Sequence, residues 1–404
     1  MSDDIPGSCF SPVSDPAVLK RLDPSVSAEV RVADISRFPV SETKQASEYS
    51  RTYRPLPLLF LDGRRLPTAR WPNSTDADDG KPESWALIDK ILEKGGLLED
   101  GGCLDSATRP ADRKVENVGG LFSYSGDRPS RWTEAGEVYV QGFWSFDWWE
   151  STMPIGGIDV ANRTIRLKYP HVFGLSQGNP SPRRWRVLHV LEELDVPGEY
   201  YVDFVAKRLY LIPPKAMGRL SFAWSTQDLF RIGTGTHDIQ FRNLKIQEAR
   251  AAAFCGGDVE RIRIECVRMR GLGRGVSFAH ADNCTIRSCD FLEMAGGGIK
   301  FSGGDRRTLR RGDNLIEDCL FRDFAQFELT GARAFYVTGV GETVRHCEIT
   351  GSPYVAMILT GNDNIFEFNV VSNVVTCGDD GGAFYKGRNP SCRGTVIRYN
   401  IWQD

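Results

Sequence analysis

A glycine-rich stretch near the carboxyl end of the sequence, CGDDGGAFYKGRNPSCRGTVIRYN at residues 377–400, contains the adjacent carboxylates Asp379 and Asp380. Hydrolysis of a glycosidic bond requires two carboxyl groups, about 5 Å apart for retention or about 6.5–9.5 Å apart for inversion. Neighbouring residues of an extended chain point to opposite sides, so we expect one aspartate to face a groove, with Glu328 as its candidate partner. Close like charges would raise the pKa of one carboxyl. A plain Gly/Asp turn is the alternative interpretation.

Basic and aromatic residues in the same part of the sequence are of the types that bind sugars through hydrogen bonds and ring stacking. The candidate binding residues are Lys300, Arg333, Tyr336, Tyr354, Tyr385, Lys386 and Arg388. Lysine or arginine beside tyrosine can also abstract the C5 proton of a uronate. A polysaccharide lyase or epimerase is therefore a second interpretation, and a solvated sheet face without catalytic function is a third.

Motifs for other chemistries do not occur in the sequence. It has no GxSxG, P-loop, HExxH or dinucleotide pattern, and GLGRGVS at residues 271–277 is not followed by a helix, which favours a coil turn. His280 and His346 lie far apart, and no acidic cluster is typical of a calcium site. We therefore expect no metal and no cofactor, and consider calcium only for the lyase interpretation.

A repeated sequence pattern indicates the strands that must position these residues. In each repeat an apolar residue is followed by two residues of any type, a small or apolar residue, one residue of any type and a second apolar residue. The middle positions 244, 267, 289, 319, 347, 369 and 400 step by 23, 22, 30, 28, 22 and 31 residues, a period of about 22 with inserted loops. Such a period with strand composition predicts a right-handed parallel β-helix of single-stranded coils. The seven rungs are Phe241/Leu244/Ile246, Ile264/Val267/Met269, Ile286/Cys289/Phe291, Ile316/Cys319/Phe321, Val344/Cys347/Ile349, Phe366/Asn369/Val371 and Ile397/Asn400/Trp402.

A second strand is expected within most turns, so that two parallel sheets stack rung on rung. Alternation within these second strands predicts one outward-facing row, which consists of Ser277, Lys300, Tyr336, Ile358 and Tyr385. The long insertions at residues 323–333 and 376–382 are expected to overhang this row, where sites usually form. Cys289, Cys319 and Cys347 are expected to form a buried ladder of thiols, continued by Asn369 and Asn400. Cys377 and Cys392 are left as a candidate bridge.

The region before the repeat predicts a β-rich accessory domain. Four segments contain a turn signal between strand-like arms, as hairpins do: LPLLFLDGRRLP, EVYVQGFWSFDWWE, IDVANRTIRLKYP and GEYYVDFVAKRLYLIPP. Helices are expected at residues 15–22 and 83–94. The predicted organisation is an N-terminal segment with a short helix at 1–55, the accessory domain at 56–235 and β-helix coils at 236–404, truncated at the C-terminus.

Composition limits the classes of partner. The 404 residues carry 50 Lys and Arg against 53 Asp and Glu, a formal charge of −3, which gives no basic field for nucleic acid. No window approaches the roughly 18 apolar residues of a membrane span, and the first residues lack the pattern of a signal peptide. We expect a polysaccharide or oligosaccharide partner, no nucleic acid, no membrane and a monomer.

Several phrases resemble a known family. LFLDGRRLPTARWPN, FSYSGDRPSRWTEAGEVYVQGFWSFDWWES, VLEELDVPGEYYVDFVAKRLYLIPP and GDDGGAFYKGRNPSCRGTVIRYN are similar to bacterial right-handed parallel β-helix proteins related to glycoside hydrolase family 141. The resemblance implies a secreted or periplasmic protein. Members usually begin with a signal peptide and a first strand turn and continue for many residues after the RYN rung, so this chain is expected to be a fragment or truncated at both ends.

The sequence thus predicts an all-β protein with a right-handed parallel β-helix and an N-terminal β-rich accessory domain. The expected function is a glycoside hydrolase acting on a plant or algal polysaccharide by carboxylate acid/base chemistry. The alternatives are a lyase or epimerase of uronic acid glycans and a glycan-binding or structural solenoid without catalysis, because a fold does not decide a function.

Overall fold

The computed structural model describes residues 2–40, 57–73, 84–96, 118–136, 138–178, 182–215, 218–387 and 389–403. The chain forms two compact units. We call Met1–Ile5, Pro57–Arg65 and Gly218–Asp404 the coil unit, and Pro6–Leu56 and Leu66–Met217 the accessory unit. These boundaries differ from the expected segments 1–55, 56–235 and 236–404. The reason is that strands Ser2–Asp4 and Leu58–Leu61 both pair with Leu220–Ala223, just before the coils.

The accessory unit is built from antiparallel strands around an aromatic core. One sheet contains Phe10–Pro12, Arg31–Asp34, Tyr200–Asp203 and Arg208–Leu211. The larger sheet contains Arg70–Trp71, Ala86–Leu87, Lys90–Glu93, Leu121–Ser123, Tyr139–Phe143, Glu150–Asp159, Thr164–Leu167 and Arg184–Leu188. The described part of the unit also contains the α-helix Pro16–Arg21 and the 3-10 helices Gly7–Cys9, Arg128–Trp132 and Leu191–Glu193. Trp132, Trp144 and Trp185 are fully buried between these elements.

The four predicted hairpins are confirmed, since the arms of each segment pair antiparallel. The first hairpin belongs to the coil unit and turns at Asp62 and Gly63, with φ of 49° and 81°, as a two-residue hairpin turn requires. The helix expected at residues 15–22 is also confirmed, and the Asp15 carboxylate caps it by accepting a hydrogen bond from the Ala17 N–H at 2.9 Å.

The helix expected at residues 83–94 is wrong over its described part. Ala86–Leu87 pairs with Arg184 and Trp185, and Lys90–Glu93 pairs with Leu121–Ser123. Trp85 and Ile88, which flank the short strand Ala86–Leu87, are buried, whereas Leu87 is 52% exposed. Tertiary pairing has therefore outweighed the local helix propensity of this segment.

The coil unit contains a small antiparallel sheet of Ser2–Asp4, Leu58–Leu61, Arg64–Arg65 and Leu220–Ala223, followed by three parallel ladders of strands. The first ladder contains Gln240–Arg242, Arg263–Glu265, Thr285–Arg287, Leu315–Glu317, Thr343–Arg345, Ile365–Glu367 and Val396–Arg398. The other two share the long strands Lys245–Glu260 and Arg268–Asp282. The second continues in Asp290–Leu292, Leu320–Arg322, Glu348–Ser352, Val370–Val374 and Ile401–Gln403. The third contains Phe230–Ile232, Ile299–Gly303, Phe335–Val340, Met357–Asn362 and Phe384–Tyr385.

The registers confirm the predicted rungs. Ile264, Ile286, Ile316, Val344, Phe366 and Ile397 pair in succession along the first ladder. Phe291, Phe321, Ile349, Val371 and Trp402 do the same along the second. The parallel β-helix is therefore the architecture that the spacing predicts.

The coils contain two parallel sheets, as expected, but each predicted rung strand is broken into two, so that the strands form three ladders, of which the second and third share one sheet. The break lies at a residue with left-handed φ just before the middle position, such as Ser288 at 52° and Asp318 at 55°. This residue turns the chain so that the strands before and after it join different ladders. Asn and Asp adopt the left-handed conformation more readily than most residues, but Phe368 and Tyr399 also occupy this position, so the sequence signals the break at only some of the rungs.

The core of the coil unit contains the predicted ladder of cysteine and asparagine. Cys289, Cys319 and Cys347 are 0–3% exposed, and burial raises the pKa of the Cys319 thiol, which makes that thiol unreactive. Asn369 continues the ladder and donates through its side-chain nitrogen to the Asn400 side-chain oxygen at 3.1 Å. Cys377 and Cys392 are free thiols, so the candidate bridge between them is not formed.

Candidate functional site

The predicted outward row lies on the third ladder. Ser277 pairs with Lys300, Lys300 with Tyr336, Tyr336 with Ile358, and Ile358 with Tyr385. Tyr336 and Tyr385 are each 39% exposed, but Ile358 is only 9% exposed and does not present a side chain to solvent. The row therefore offers polar side chains at both of its ends and a covered apolar residue between the two tyrosines.

A cleft of about 300 Å³ lies beside this row. Its lining brings together four of the predicted site residues, Lys300, Glu328, Arg333 and Tyr336. Its remaining lining residues are Arg274, Val276, Gly297, Gly298, Ile299, Gly331 and Ala332. The cleft thus combines one carboxyl, three basic side chains and one phenol.

Glycines form the floor of the cleft. The register places Arg274, Gly297 and Arg333 in one column across three successive coils, two residues before the paired Val276, Ile299 and Phe335. A Cβ at Gly297 would lie 2.7 Å from the Arg333 carbonyl oxygen, and a Cβ at Gly298 would lie 2.4 Å from the Ala334 carbonyl oxygen. Only glycine fits at these positions, because a side chain would collide with the backbone of the next coil.

Glu328 is held in the cleft by the insertion at residues 323–333. Phe324 and Leu329 are each 1% exposed, so this insertion packs into the protein where an overhanging loop was expected. The Glu328 N–H donates to the Ala295 carbonyl at 3.2 Å, and its carbonyl accepts from the Ala332 N–H at 3.2 Å. The side chain is 6% exposed, and the exposed part faces the cleft that it lines.

Arg333 is a half-buried basic residue of the site. One terminal nitrogen donates to the Gly331 carbonyl at 3.2 Å, whereas its Nε has no hydrogen-bond partner among the described residues. Burial lowers the pKa of its guanidinium, and the phenols of Tyr354, Tyr336 and Tyr385 are close enough to influence that pKa in the opposite direction. Arginine remains protonated at neutral pH, so a positive charge is held among aromatic groups.

Asp379 and Asp380 are both exposed and do not line the cleft. Their segment is tied to the preceding coil, because the N–H groups of Cys377 and Gly378 donate to the Pro353 carbonyl at 2.8 and 2.9 Å. The buried Tyr354 hydroxyl donates to the Asp380 carbonyl at 2.8 Å. The Tyr354 hydroxyl was expected to bind a ligand, but it holds this loop in place.

The remaining candidates lie toward the C-terminal end of the row. Lys386 is half-buried, and its ammonium donates to the Thr395 hydroxyl. Tyr385 is exposed one coil beyond Ile358, outside the cleft lining. Arg388 lies outside the described residues.

Arg274 is a cleft residue that the sequence reasoning missed. It lies in GLGRGVS, which was interpreted only as a coil turn. A signal was present, since Arg274 and Arg333 each stand two residues before a buried strand residue of the third ladder, with the run Gly296, Gly297 and Gly298 on the coil between them. The glycine run marks close backbone approach, which often accompanies a site.

Comparisons with known proteins agree with this fold. A model of the family described as right handed beta helix region matches residues 274–403. A solved structure titled "Glycoside hydrolase" superimposes with a TM-score of 0.69 at 14% identity and covers 100% of this chain and 81% of that chain. No curated protein sequence matches the chain. The comparisons confirm the right-handed parallel β-helix and show a similarity in fold to a glycoside hydrolase.

Two features of the described residues bear on ligands and surroundings. None of their helices has the length and apolar character needed to cross a bilayer. In the same ranges, no three or more His, Cys, Asp or Glu side chains are grouped so as to hold a metal ion.

Proposed function

We propose that this protein is a carbohydrate-active β-helix enzyme that hydrolyses glycosidic bonds of a polysaccharide or oligosaccharide. The observation that carries the proposal is the cleft, which brings Glu328, Lys300, Arg333 and Tyr336 together beside the outward row. Fold similarity to a protein titled as a glycoside hydrolase supports the same class. Plant or algal polysaccharides remain the expected source of the substrate.

Glu328 is the proposed acid/base residue. It is the acidic residue among those lining the cleft, and its burial confines contact with a ligand to the cleft side. Its backbone is fixed by hydrogen bonds on both sides, which holds the carboxyl in place for proton transfer. Lys300 and Tyr336 pair across adjacent coils and are proposed to bind sugar hydroxyls or a ring face.

The second carboxyl is proposed to come from Asp379 or Asp380. Tyr336 and Tyr385 are two coils apart in the row, or about 9.6 Å at the usual strand spacing. The aspartate loop precedes Tyr385, so an oligosaccharide lying along the row would reach both regions. Tyr354, Tyr385, Lys386 and Arg388 are proposed to support this end of the binding surface.

A lyase or epimerase is the alternative that a specific observation favours. The cleft contains three basic side chains and one carboxyl, and hydrolysis requires a second carboxyl that lies outside its lining. Lys300 or Arg333 would then abstract the C5 proton of a uronate, with Tyr336 assisting. Calcium would be considered only in that case. A glycan-binding solenoid without catalysis would use the same cleft.

The expected setting follows from the resemblance and the composition. We propose a secreted or periplasmic protein that acts as a monomer, binds neither nucleic acid nor membrane, and needs no cofactor. These statements accompany the hydrolase proposal and are tested separately, by fractionation of the native host and by sedimentation of the purified protein.

The test is to incubate the purified protein with neutral and uronic polysaccharides and to follow reducing ends and the absorbance of unsaturated products. We expect new reducing ends without unsaturated product. Glu328→Gln should lower the rate about 10²- to 10⁴-fold, because general acid/base groups contribute factors of that size. Asp379→Asn and Asp380→Asn are assayed in parallel to identify the second carboxyl.

Glu348→Gln is the matched control, since it removes an exposed carboxyl on the second ladder, away from the cleft. Unsaturated product would replace the hydrolase with the lyase. Full activity of Glu328→Gln would remove Glu328 from the mechanism, and binding without turnover would leave the non-catalytic solenoid.

A further inference from the structure

We infer that the sugar bound in this cleft is anionic, and that its negative group lies over the glycine floor between Arg333, Lys300 and Arg274. The inference rests on the proposed function and specifies the substrate class of the same site. The relevant chemistry is a carboxylate or a sulfate ester on a sugar ring. A neutral glycan would leave the positive charge of the cleft without a counterpart.

The charge of the cleft is opposite to that of the whole protein. Arg274, Lys300 and Arg333 line it against the single carboxyl of Glu328, whereas the chain as a whole has a formal charge of −3. Asp228 lies near Arg274, outside the cleft lining, and is also paired with Arg231 at 3.6 Å. The local excess of positive charge therefore arises from the residues that the cleft brings together.

Arg333 gives the strongest indication of an anion. Several other arginines of the coil unit pair with carboxylates, as Arg219 does with Glu248 at 2.8 Å and Arg270 with Glu293 at 2.7 Å. Arg333 forms no ion pair with a described residue, although it is half-buried and its Nε has no partner there. A buried donor without an acceptor is costly, and an anionic ligand would supply one.

The arrangement of the three cations defines a position for that ligand. Arg274 and Arg333 are separated by the coil of Gly297, which is about 9.6 Å at the usual strand spacing. Lys300 stands on that intermediate coil, three residues beyond Gly297. Gly297 and Gly298 line the cleft on that coil and add no side chain between the two arginines.

The test is binding to pairs of oligosaccharides that differ only in charge. The probes are oligomers of galacturonate, glucuronate and mannuronate with their carboxyl-reduced counterparts, and a sulfated galactan with its desulfated form. Affinities are measured by titration calorimetry with Glu328→Gln, which retains the basic residues and removes turnover. We expect at least 10-fold tighter binding of the anionic member of one pair.

The variants Arg333→Gln and Lys300→Gln should reduce that preference 10-fold or more, because they weaken binding of the anionic member more than binding of the neutral member. Arg333→Lys should restore part of it, which separates loss of charge from loss of packing. Arg263→Gln removes an exposed charge on the first ladder and should have no effect. Circular dichroism and thermal unfolding establish that each variant is folded, and Lys300 is exposed enough for its replacement to be tolerated.

The outcomes separate this inference from the proposed function. Preference for uronates or for the sulfated galactan supports the inference and identifies the anion. Equal binding of the charged and neutral members overturns the inference, and so does a preference for the anionic member that survives both variants. The proposed function would still be upheld if hydrolysis of a neutral glycan depended on Glu328. Selective binding of anionic glycans without turnover upholds the inference and contradicts the proposed hydrolysis. Absence of binding to every probe overturns both.

Discussion

At the scale of single residues, side chains with the same expected role have different surroundings. Glu328 was expected as a partner to the aspartates, and it is the carboxyl that lines the cleft. Asp379 and Asp380 were expected to provide the catalytic centre, and their carboxyls are exposed outside that lining. Their catalytic role stays a prediction, and it depends on a substrate long enough to extend two coils along the row.

Tyr354 shows how a residue near a site can act through position. Its hydroxyl holds the Asp380 carbonyl, so Tyr354→Phe should loosen the aspartate loop and lower the free energy of unfolding by about 1 kcal/mol, the usual contribution of one hydrogen bond. Hydrogen exchange of residues 376–383 measures the loosening. Tyr399→Phe removes an exposed hydroxyl and serves as the control. Unchanged exchange in Tyr354→Phe would show that the loop is held by its backbone bonds alone.

At the scale of elements, the coils are connected by side chains that complete the backbone hydrogen bonding at their corners. The Asn369 side-chain oxygen accepts from the Cys347 N–H at 2.9 Å, and its nitrogen donates to the Val344 carbonyl at 3.2 Å. Asn314 and Asn364 do the same for the N–H groups of Cys284 and Glu342. A buried asparagine at a corner therefore substitutes for a strand partner.

Asn369→Ala tests this role. It would leave a buried N–H and a buried carbonyl without partners, and we expect the free energy of unfolding to fall by roughly 2–4 kcal/mol. Urea denaturation measures the change. Gln403→Ala, which removes an exposed amide on the second ladder, should alter stability by less than about 0.5 kcal/mol. A comparably small effect of Asn369→Ala would mean that water satisfies the corner.

At the scale of the whole molecule, buried ionisable groups determine how stability depends on pH. Burial raises the pKa of Glu342 to about 8, and it raises that of Glu199 to about 8 as well. In the folded protein both carboxyls favour the protonated form. The free energy of unfolding therefore falls as pH rises from the unfolded pKa of 4.5 to the folded pKa of about 8. Burial lowers the pKa of His189 to about 3, so its contribution is lost as pH falls below about 6.5. Two glutamates lose stability above about pH 4.5 and one histidine loses it below about pH 6.5, so we expect the stability that these three groups control to be greatest near pH 4.5.

Glu342→Gln should flatten the alkaline side of this profile. Glu342 is 1% exposed, and neither of its carboxyl oxygens has a hydrogen-bond partner among the described residues. Its Oε1 lies so close to the neighbouring coils that a Cβ atom at Gly303 or Gly339 would be 2.7 Å away. The variant should be more stable than the original protein at pH 9, by up to roughly 4 kcal/mol, and similar at pH 5. Thermal unfolding across pH measures this, with Glu348→Gln as the exposed control. Parallel profiles would show that Glu342 is not the titrating group.

The sequence by itself determined the fold of the coil unit, because the spacing within a rung recurs from Phe241 to Trp402. Burial of the apolar residues of the inner rungs admits one register, and the structure has it. The four hairpins were predictable for the same reason, since Asp62 and Gly63, for example, encode their turn locally. Residues 84–94 were not, because their strand pairing depends on partners about 30 to 100 residues away.

Only the tertiary structure decided the site. The spacing of Lys300 and Tyr336 placed them in one row, but the path of the insertion at residues 323–333 decided that Glu328 enters the cleft. Arg274 and Arg333 are 59 residues apart in sequence and line one cleft because their coils stack on either side of the coil that contains Gly297. Local periodicity specifies which strands pair, whereas the packing of inserted loops and the stacking of distant coils specify which side chains share a cleft.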